Sequence, residues 1–158
     1  MRIGQGFDVH RLAEGRDLVL CGITVPHERG LLGHSDADVA THALMDAMLG
    51  AAALGDIGKH FPDTDEQYRG ACSIELLTVV REKLAQAGLA LVNADVTIVA
   101  QRPKLRPYMD DMRQCLADAM QVPLTAINVK ATTTEKLGFE GTEEGISAHA
   151  VCLLDQIS

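Results

Sequence analysis

The opening MRIGQGFDVH is rich in apolar residues and predicts a strand over residues 1–9. Leu18-Val19-Leu20-Cys21 and Ile23-Thr24-Val25 predict a hairpin turning at Gly22, followed by a loop over 26–33. Ser35, with Asp38 three residues on, has the pattern of a capping box, which predicts a helix from there to about Leu54. A long polar loop over 55–70 carries Asp56, Gly58, Asp63 and Asp65. A second helix is expected over 73–87, stopping at Gly88. The β-branched run Val92, Val96, Thr97, Ile98 and Val99 predicts a strand over 90–100. Two prolines in the segment 101–107 interrupt the pattern before a helix over 108–120. Strands over 127–134 and 146–154, joined by the turn-rich stretch 138–145, complete the chain. Strands and helices alternate, so the expected class is α/β (α+β). A single domain over 1–158 would carry one mixed sheet of four to five strands with helices on one face. The other face is then left for a partner subunit.

A chain of 158 residues that is 47% hydrophobic can build a core, and with 3% aromatics that core must be aliphatic. The formal net charge of −8 argues against a nucleic-acid partner, which needs a basic footprint. No apolar run reaches membrane-spanning length, so no membrane partner is expected. Cys21, Cys72, Cys115 and Cys152 are dispersed, and no leader segment is evident; reduced thiols and a cytoplasmic location are the expectation.

Asp8 and His10 sit two apart on the first predicted strand, so carboxylate and imidazole project from one face. His42 lies within the next helix and is a third candidate ligand. One carboxylate oxygen and two imidazole nitrogens make a divalent-metal set with a fourth position open, the form of a catalytic site. Spacing alone equally fits a strand-end pair and a partly buried helix histidine.

Longer stretches carry more. MRIGQGFDVH, LLGHSDADVATHALMDAMLGAAALGDIGKHFPDTD, VTIVAQRPKL and INVKATTTEKLGFEG, in this order and spacing, resemble the 2-C-methyl-D-erythritol 2,4-cyclodiphosphate synthase family over essentially the whole chain. The resemblance implies a homotrimer whose sheets face the threefold axis and whose active sites lie between adjacent subunits. It implies cyclisation of 4-diphosphocytidyl-2-C-methyl-D-erythritol 2-phosphate with release of CMP, a lyase reaction of isoprenoid precursor biosynthesis. By the same resemblance Asp8, His10 and His42 hold Zn2+, and Glu135 holds Mg2+ or Mn2+ together with substrate phosphates. His34 and Thr133 are the implied transition-state stabilisers. His34 and Ser35 are expected at a helix N-terminus, where free N–H groups favour anions.

Asp56 and Gly58 resemble ribose and substrate contacts, and Phe61, Asp63 and Asp65 resemble the loop around the methylerythritol portion. Ala100, Lys104, Leu105 and Arg106 resemble a cytosine pocket. Thr132, Thr133, Thr134, Glu135 and Phe139 complete the implied substrate contacts. Thr142 stands where members of the family often carry Arg, which removes a charge from the anion site implied at one end of the central trimer cavity. Two other classes compete with the cyclase: a metal-dependent phosphohydrolase acting through the same Asp-His-His set, and a non-catalytic trimeric nucleotide- or diphosphate-binding module. The hydrolase needs no AQRPKLR pocket, and the binding module needs no intact ligand set.

Overall fold

A computed structural model describes residues 1–157. The chain runs β1 (Arg2–Ala13), β2 (Leu18–Leu20), β3 (Ile23–Val25), β4 (Gly30–Leu32), α1 (Val39–Ala51), α2 (Ile57–His60), α3 (Ser73–Gln86), β5 (Leu89–Val99), α4 (Met109–Met120), β6 (Ile127–Thr132), α5 (Gly138–Gly141) and β7 (Gly145–Gln156). Five strands form one mixed sheet in the order β4-β1-β7-β5-β6. All neighbours are antiparallel except β5 and β6, which α4 connects as a parallel crossover. The strands β2 and β3 pair separately as the expected hairpin.

Alternation along β1 decides the architecture. Gly4, Gly6, Asp8, His10 and Leu12 point to the helix-covered face, and Ile3, Phe7 and Val9 point away from it and stay exposed. Helix α1 lies directly on the inner face, and eleven of its thirteen residues are buried. Its alanines and the strand glycines explain the close approach. A Cβ on Gly4 would stand 1.9 Å from the Ala47 carbonyl oxygen, and one on Gly6 would stand 1.9 Å from that of Ala43. Outside α1, α3 buries Leu77, Val80 and Leu84, and α4 buries Met112, Leu116 and Met120, each set at helical spacing. The core between them is Leu, Ile, Val, Met and Ala, as the scarcity of aromatics requires.

Several boundaries differ from those read off the pattern. The first helix begins at Val39, and its N-cap is Asp38 rather than Ser35. The Asp38 carboxylate accepts from Thr41 N and Thr41 Oγ1, and also from Cys21 N and Gly22 N of the hairpin turn. This fully buried carboxylate closes the helix N-terminus, so His34 and Ser35 lie in the preceding loop and not at free helical N–H groups. Helix α1 ends at Ala51, three residues early, because Ala53 and Gly55 take left-handed conformations. The expected 26–33 loop contains β4, which pairs with Arg11–Ala13 of β1. The 55–70 loop holds α2 and a 3₁₀ turn over Glu66–Tyr68, capped by Asp56 and Asp65. Strand β6 stops at Thr132, two residues early, because Glu135 and Lys136 both turn into the left-handed region. All four cysteines are free. Among the described residues no helix is long and apolar enough to cross a membrane.

Candidate active site

The inner face of β1 and one turn of α1 bring Asp8, His10 and His42 together, the only such donor group among the described residues. Asp8 Oδ2 lies 3.0 Å from His10 Nε2 and 3.1 Å from His42 Nδ1, and the two ring nitrogens are 3.4 Å apart. His10 Nδ1–H donates to the Leu32 carbonyl of β4 at 2.9 Å. A carbonyl only accepts, so the proton of a neutral His10 is on Nδ1 and its Nε2 presents a lone pair to Asp8. A carboxylate oxygen and an imidazole lone pair at that distance need a cation between them, either a proton or a metal. The three donors therefore fit a divalent cation with room for an exogenous ligand.

Electrostatics agrees with the geometry. Burial opposes the charge on Asp8, but the adjoining His10 and His42 imidazoles outweigh it and hold the carboxyl far below its usual range. Burial likewise opposes charge on His10, and the Asp8 carboxylate overrides it, so His10 holds a proton more tightly than free imidazole when no metal competes.

Around the trio is a cavity of about 410 Å3, also lined by His34, Ser35, Gly58, Phe61, Asp63 and Tyr68. His34 Nε2–H donates to the Asp65 carbonyl at 2.9 Å, and the His34 carbonyl accepts from Gly70 N, so the 65–70 segment holds both the ring and the backbone of this residue. Asp56 itself does not line the cavity; its carboxylate caps α2 through Lys59 N and so presents Ile57 and Gly58 to the site. Asp65 contributes through its carbonyl, and its side chain caps the 3₁₀ turn.

A second cavity of about 530 Å3 opens between the end of β5, the 100–106 segment, α4 and β6. Ala100, Lys104, Leu105 and Arg106 line it together with Thr132 and Thr133. Ala100 N donates to Thr132 O, which ties the two strand ends together at its floor. The two cavities share no lining residue. Glu135, Thr134 and Phe139 line neither, so within one chain Glu135 does not join Asp8, His10 and His42. Glu135 N donates to Thr133 Oγ1, and Lys136 N donates to Gln101 Oε1, which anchors this turn beside the second cavity. The exposed Thr142 hydroxyl, with one proton to donate, lies 3.0 Å from Glu144 Oε2 and 3.2 Å from the Gly138 carbonyl.

Of four supporting residues, local pattern gives no sign of three. Arg16 donates to the carbonyls of Leu31, Gly33 and Ser35 and so holds the loop that carries His34. Asp46, one turn after His42, accepts from Ile57 N and ties α2 to α1. His42 Nε2 faces Ser73 Oγ at 2.9 Å, and Ser73 in turn contacts Asp36. Only Asp36 in the HSDAD segment had a visible clue, the clustering of acids beside a candidate ligand helix.

The chain is similar to proteins of known identity along its length. The model of the YgbB family matches residues 1–155. The 2-C-methyl-D-erythritol 2,4-cyclodiphosphate synthase of Lachnospira eligens is 58% identical over 158 residues, covering 100% of this chain and 86% of its own. The synthase of Desulfitobacterium hafniense is 62% identical over 155 residues, 98% of each chain. Among solved structures, the bifunctional IspDF of Campylobacter jejuni superposes with a TM-score of 0.96 at 44% identity; it covers 99% of this chain, which spans 42% of that longer protein. A 2C-methyl-D-erythritol-2,4-cyclodiphosphate synthase in its CDP-bound form gives a TM-score of 0.89 at 42% identity, covering 98% of this chain and 100% of that one. On full-length family match, whole-chain identity and shared fold, the protein belongs to the YgbB family of 2-C-methyl-D-erythritol 2,4-cyclodiphosphate synthases.

Proposed function

We propose that the protein converts 4-diphosphocytidyl-2-C-methyl-D-erythritol 2-phosphate into 2-C-methyl-D-erythritol 2,4-cyclodiphosphate and CMP. The observation that carries this reading is the convergence of Asp8, His10 and His42 on one point in a chain related end to end to synthases of that name. An oxygen of the 2-phosphate forms a bond to the β-phosphorus, and the bond from that phosphorus to the oxygen bridging to the α-phosphate breaks. The electron pair leaves with CMP. Nucleophile and electrophile are both anionic, so the protein's task is positioning and charge compensation.

Asp8, His10 and His42 are the residues that would hold Zn2+. Glu135, a carboxylate outside the Asp8 group, would hold Mg2+ or Mn2+, which take few protein ligands and complete their shell with water and phosphate. Bound there, such ions polarise phosphate oxygens and offset their charge. His34 and Thr133 face the phosphates, with Ser35 beside them. Ala100, Lys104, Leu105 and Arg106, with Thr132, Thr133 and Thr134, enclose the cytidine. Asp56 and Gly58 meet the ribose side, and Phe61, Asp63, Asp65 and Phe139 bound the methylerythritol portion.

The separation of the two cavities supports a homotrimer in which one subunit's metal cavity meets its neighbour's nucleotide cavity. So does the helix-free sheet face, where Ile3 is 75% exposed, Phe7 48% and Val151 44%. Four free cysteines are in keeping with work in a reducing cytoplasm. Incubation of the zinc-loaded protein with the substrate and Mg2+ tests the reading. Equal amounts of CMP and cyclic diphosphate are expected by chromatography and phosphorus NMR. Phosphate release without the cyclic product would make it a phosphohydrolase, and binding without turnover would leave the binding module.

A further inference from the structure

We infer that Ser73 and Asp36 are a positioning pair for His42, selecting which of its nitrogens is offered to a metal. The inference rests on the reading of Asp8, His10 and His42 as a metal site.

Asp36, Ser73 and His42 form a chain in which each proton has one place to go. The Asp36 carboxylate accepts from Ser73 N through Oδ2 at 2.9 Å and from the Ser73 hydroxyl through Oδ1. A carboxylate has no proton to give, so the single hydroxyl proton of Ser73 is committed to Asp36. Ser73 Oγ can then only accept from the His42 Nε2 that faces it at 2.9 Å. Nε2 therefore carries the imidazole proton, and Nδ1, 3.1 Å from Asp8 Oδ2, is left with its lone pair toward the site. Ser35 Oγ also lies 3.2 Å from His42 Nε2, but its hydroxyl proton is not committed in this way and is compatible with either tautomer. Ser73 is the member that discriminates.

The contact between Ser73 and His42 is enclosed, with Asp36 half-buried beside it. Ser73 is 0% exposed and His42 8%, so water does not substitute readily for the missing partner. It is also built from distant parts of the chain. Asp36 N donates to the Ala71 carbonyl, and the carboxylate of Asp36 covers the first turn of α3 at Ser73 N. The loop that carries His34, the start of α3 and the metal ligand on α1 thus share one set of hydrogen bonds. Partners of this kind orient a ligating imidazole and raise its basicity, and their loss typically costs about 10- to 100-fold in metal affinity.

The test is competition for zinc between the protein and a chromophoric chelator, on the full-length protein and its Ser73→Ala, Ser73→Thr and Ser35→Ala variants. Ser73→Ala is expected to bind zinc about 10- to 100-fold more weakly. Ser73→Thr restores the hydroxyl and is expected to return affinity close to that of the unsubstituted protein, while Ser35→Ala loses less than Ser73→Ala. A second readout does not depend on affinity. In the zinc-loaded protein labelled with ¹⁵N-histidine, the His42 Nε2–H proton is expected as a slowly exchanging resonance, and exchange is expected to be faster in Ser73→Ala. Equal zinc affinity and equal exchange in a folded Ser73→Ala protein would overturn the inference. So would failure of Ser73→Thr to rescue a folded protein. If the unsubstituted protein itself takes up no zinc, the metal reading and this inference fall together, which the first titration reveals before any variant is compared.

Discussion

Gly6 of β1 lies so close beneath Ala43 of α1 that a Cβ on the glycine would meet the Ala43 carbonyl oxygen at 1.9 Å and the Ala47 nitrogen at 2.7 Å. The opposing atoms are helix backbone, which has no rotamer to give. Ala43 follows His42 directly, and Gly6 precedes Asp8 by two residues on the same face of the strand. The glycine therefore sets how near two candidate ligands from different elements can come.

Gly6→Ala is accordingly expected to destabilise the protein by about 1–3 kcal/mol or more, the range for overpacking a tight core. Denaturant unfolding followed by circular dichroism measures it. Zinc occupancy should fall as well, since any relief lifts α1 from β1 and separates His42 from Asp8. Unchanged stability would mean that the helix can shift freely, contrary to the contact described.

His42→Ala is expected to abolish zinc binding and leave a folded protein. The core around α1 is aliphatic, and the imidazole serves the site rather than the packing. Elemental analysis, paired with a thermal melt, decides between the outcomes. Full zinc content in the folded variant removes His42 from the ligand set.

Glu135→Gln is expected to raise the Mg2+ concentration needed for half-maximal turnover while zinc content stays the same. The amide keeps the shape of the side chain but loses the charge that a hard cation requires. Glu135 is exposed and forms no part of the Asp8 group, so the two metals should respond independently. A magnesium titration that superposes on that of the unsubstituted protein counts against the assignment.

Proton linkage gives a signed prediction for the metal-free protein. The folded-state pKa of His10 is raised above 6.5, so its stabilisation is complete below that value and is lost as pH rises through the raised one. The carboxyl of Asp8 is lowered below 3.8, so its contribution is complete above that value and is lost as pH falls through the lowered one. Urea midpoints of the metal-free protein should decline as pH rises through the raised His10 pKa, and His10→Ala should flatten that high-pH limb. Zinc must displace the His10 proton, so zinc affinity should weaken with acidification over the same range. A midpoint that is level across the high-pH limb in the metal-free protein would contradict the Asp8–His10 pairing.

Much of this protein is legible in its residues because much of it depends on short-range period. Strand alternation alone places Asp8 and His10 on one face, and helical spacing alone makes α3 and α4 amphipathic. The AQRPKLR break after β5 marks a pocket loop because proline ends regular structure wherever it falls. Other features rest on contacts between distant parts of the chain, about which a local window carries no information. Ser35 and Asp38 are equally good caps on paper. Asp38 takes the role because its carboxylate also satisfies Cys21 N and Gly22 N across the core, leaving Ser35 to face His42. The strand β4 escapes the pattern because three residues have too little period to read, and it exists through its pairing with Arg11–Ala13. The commitment of Ser73 to Asp36 spans 37 positions, and the division of the site into two cavities follows from which strand ends the sheet order brings together. Residue types and their spacing determined the available chemistry, and the packing of α1 on the glycines of β1 decided which of those groups meet.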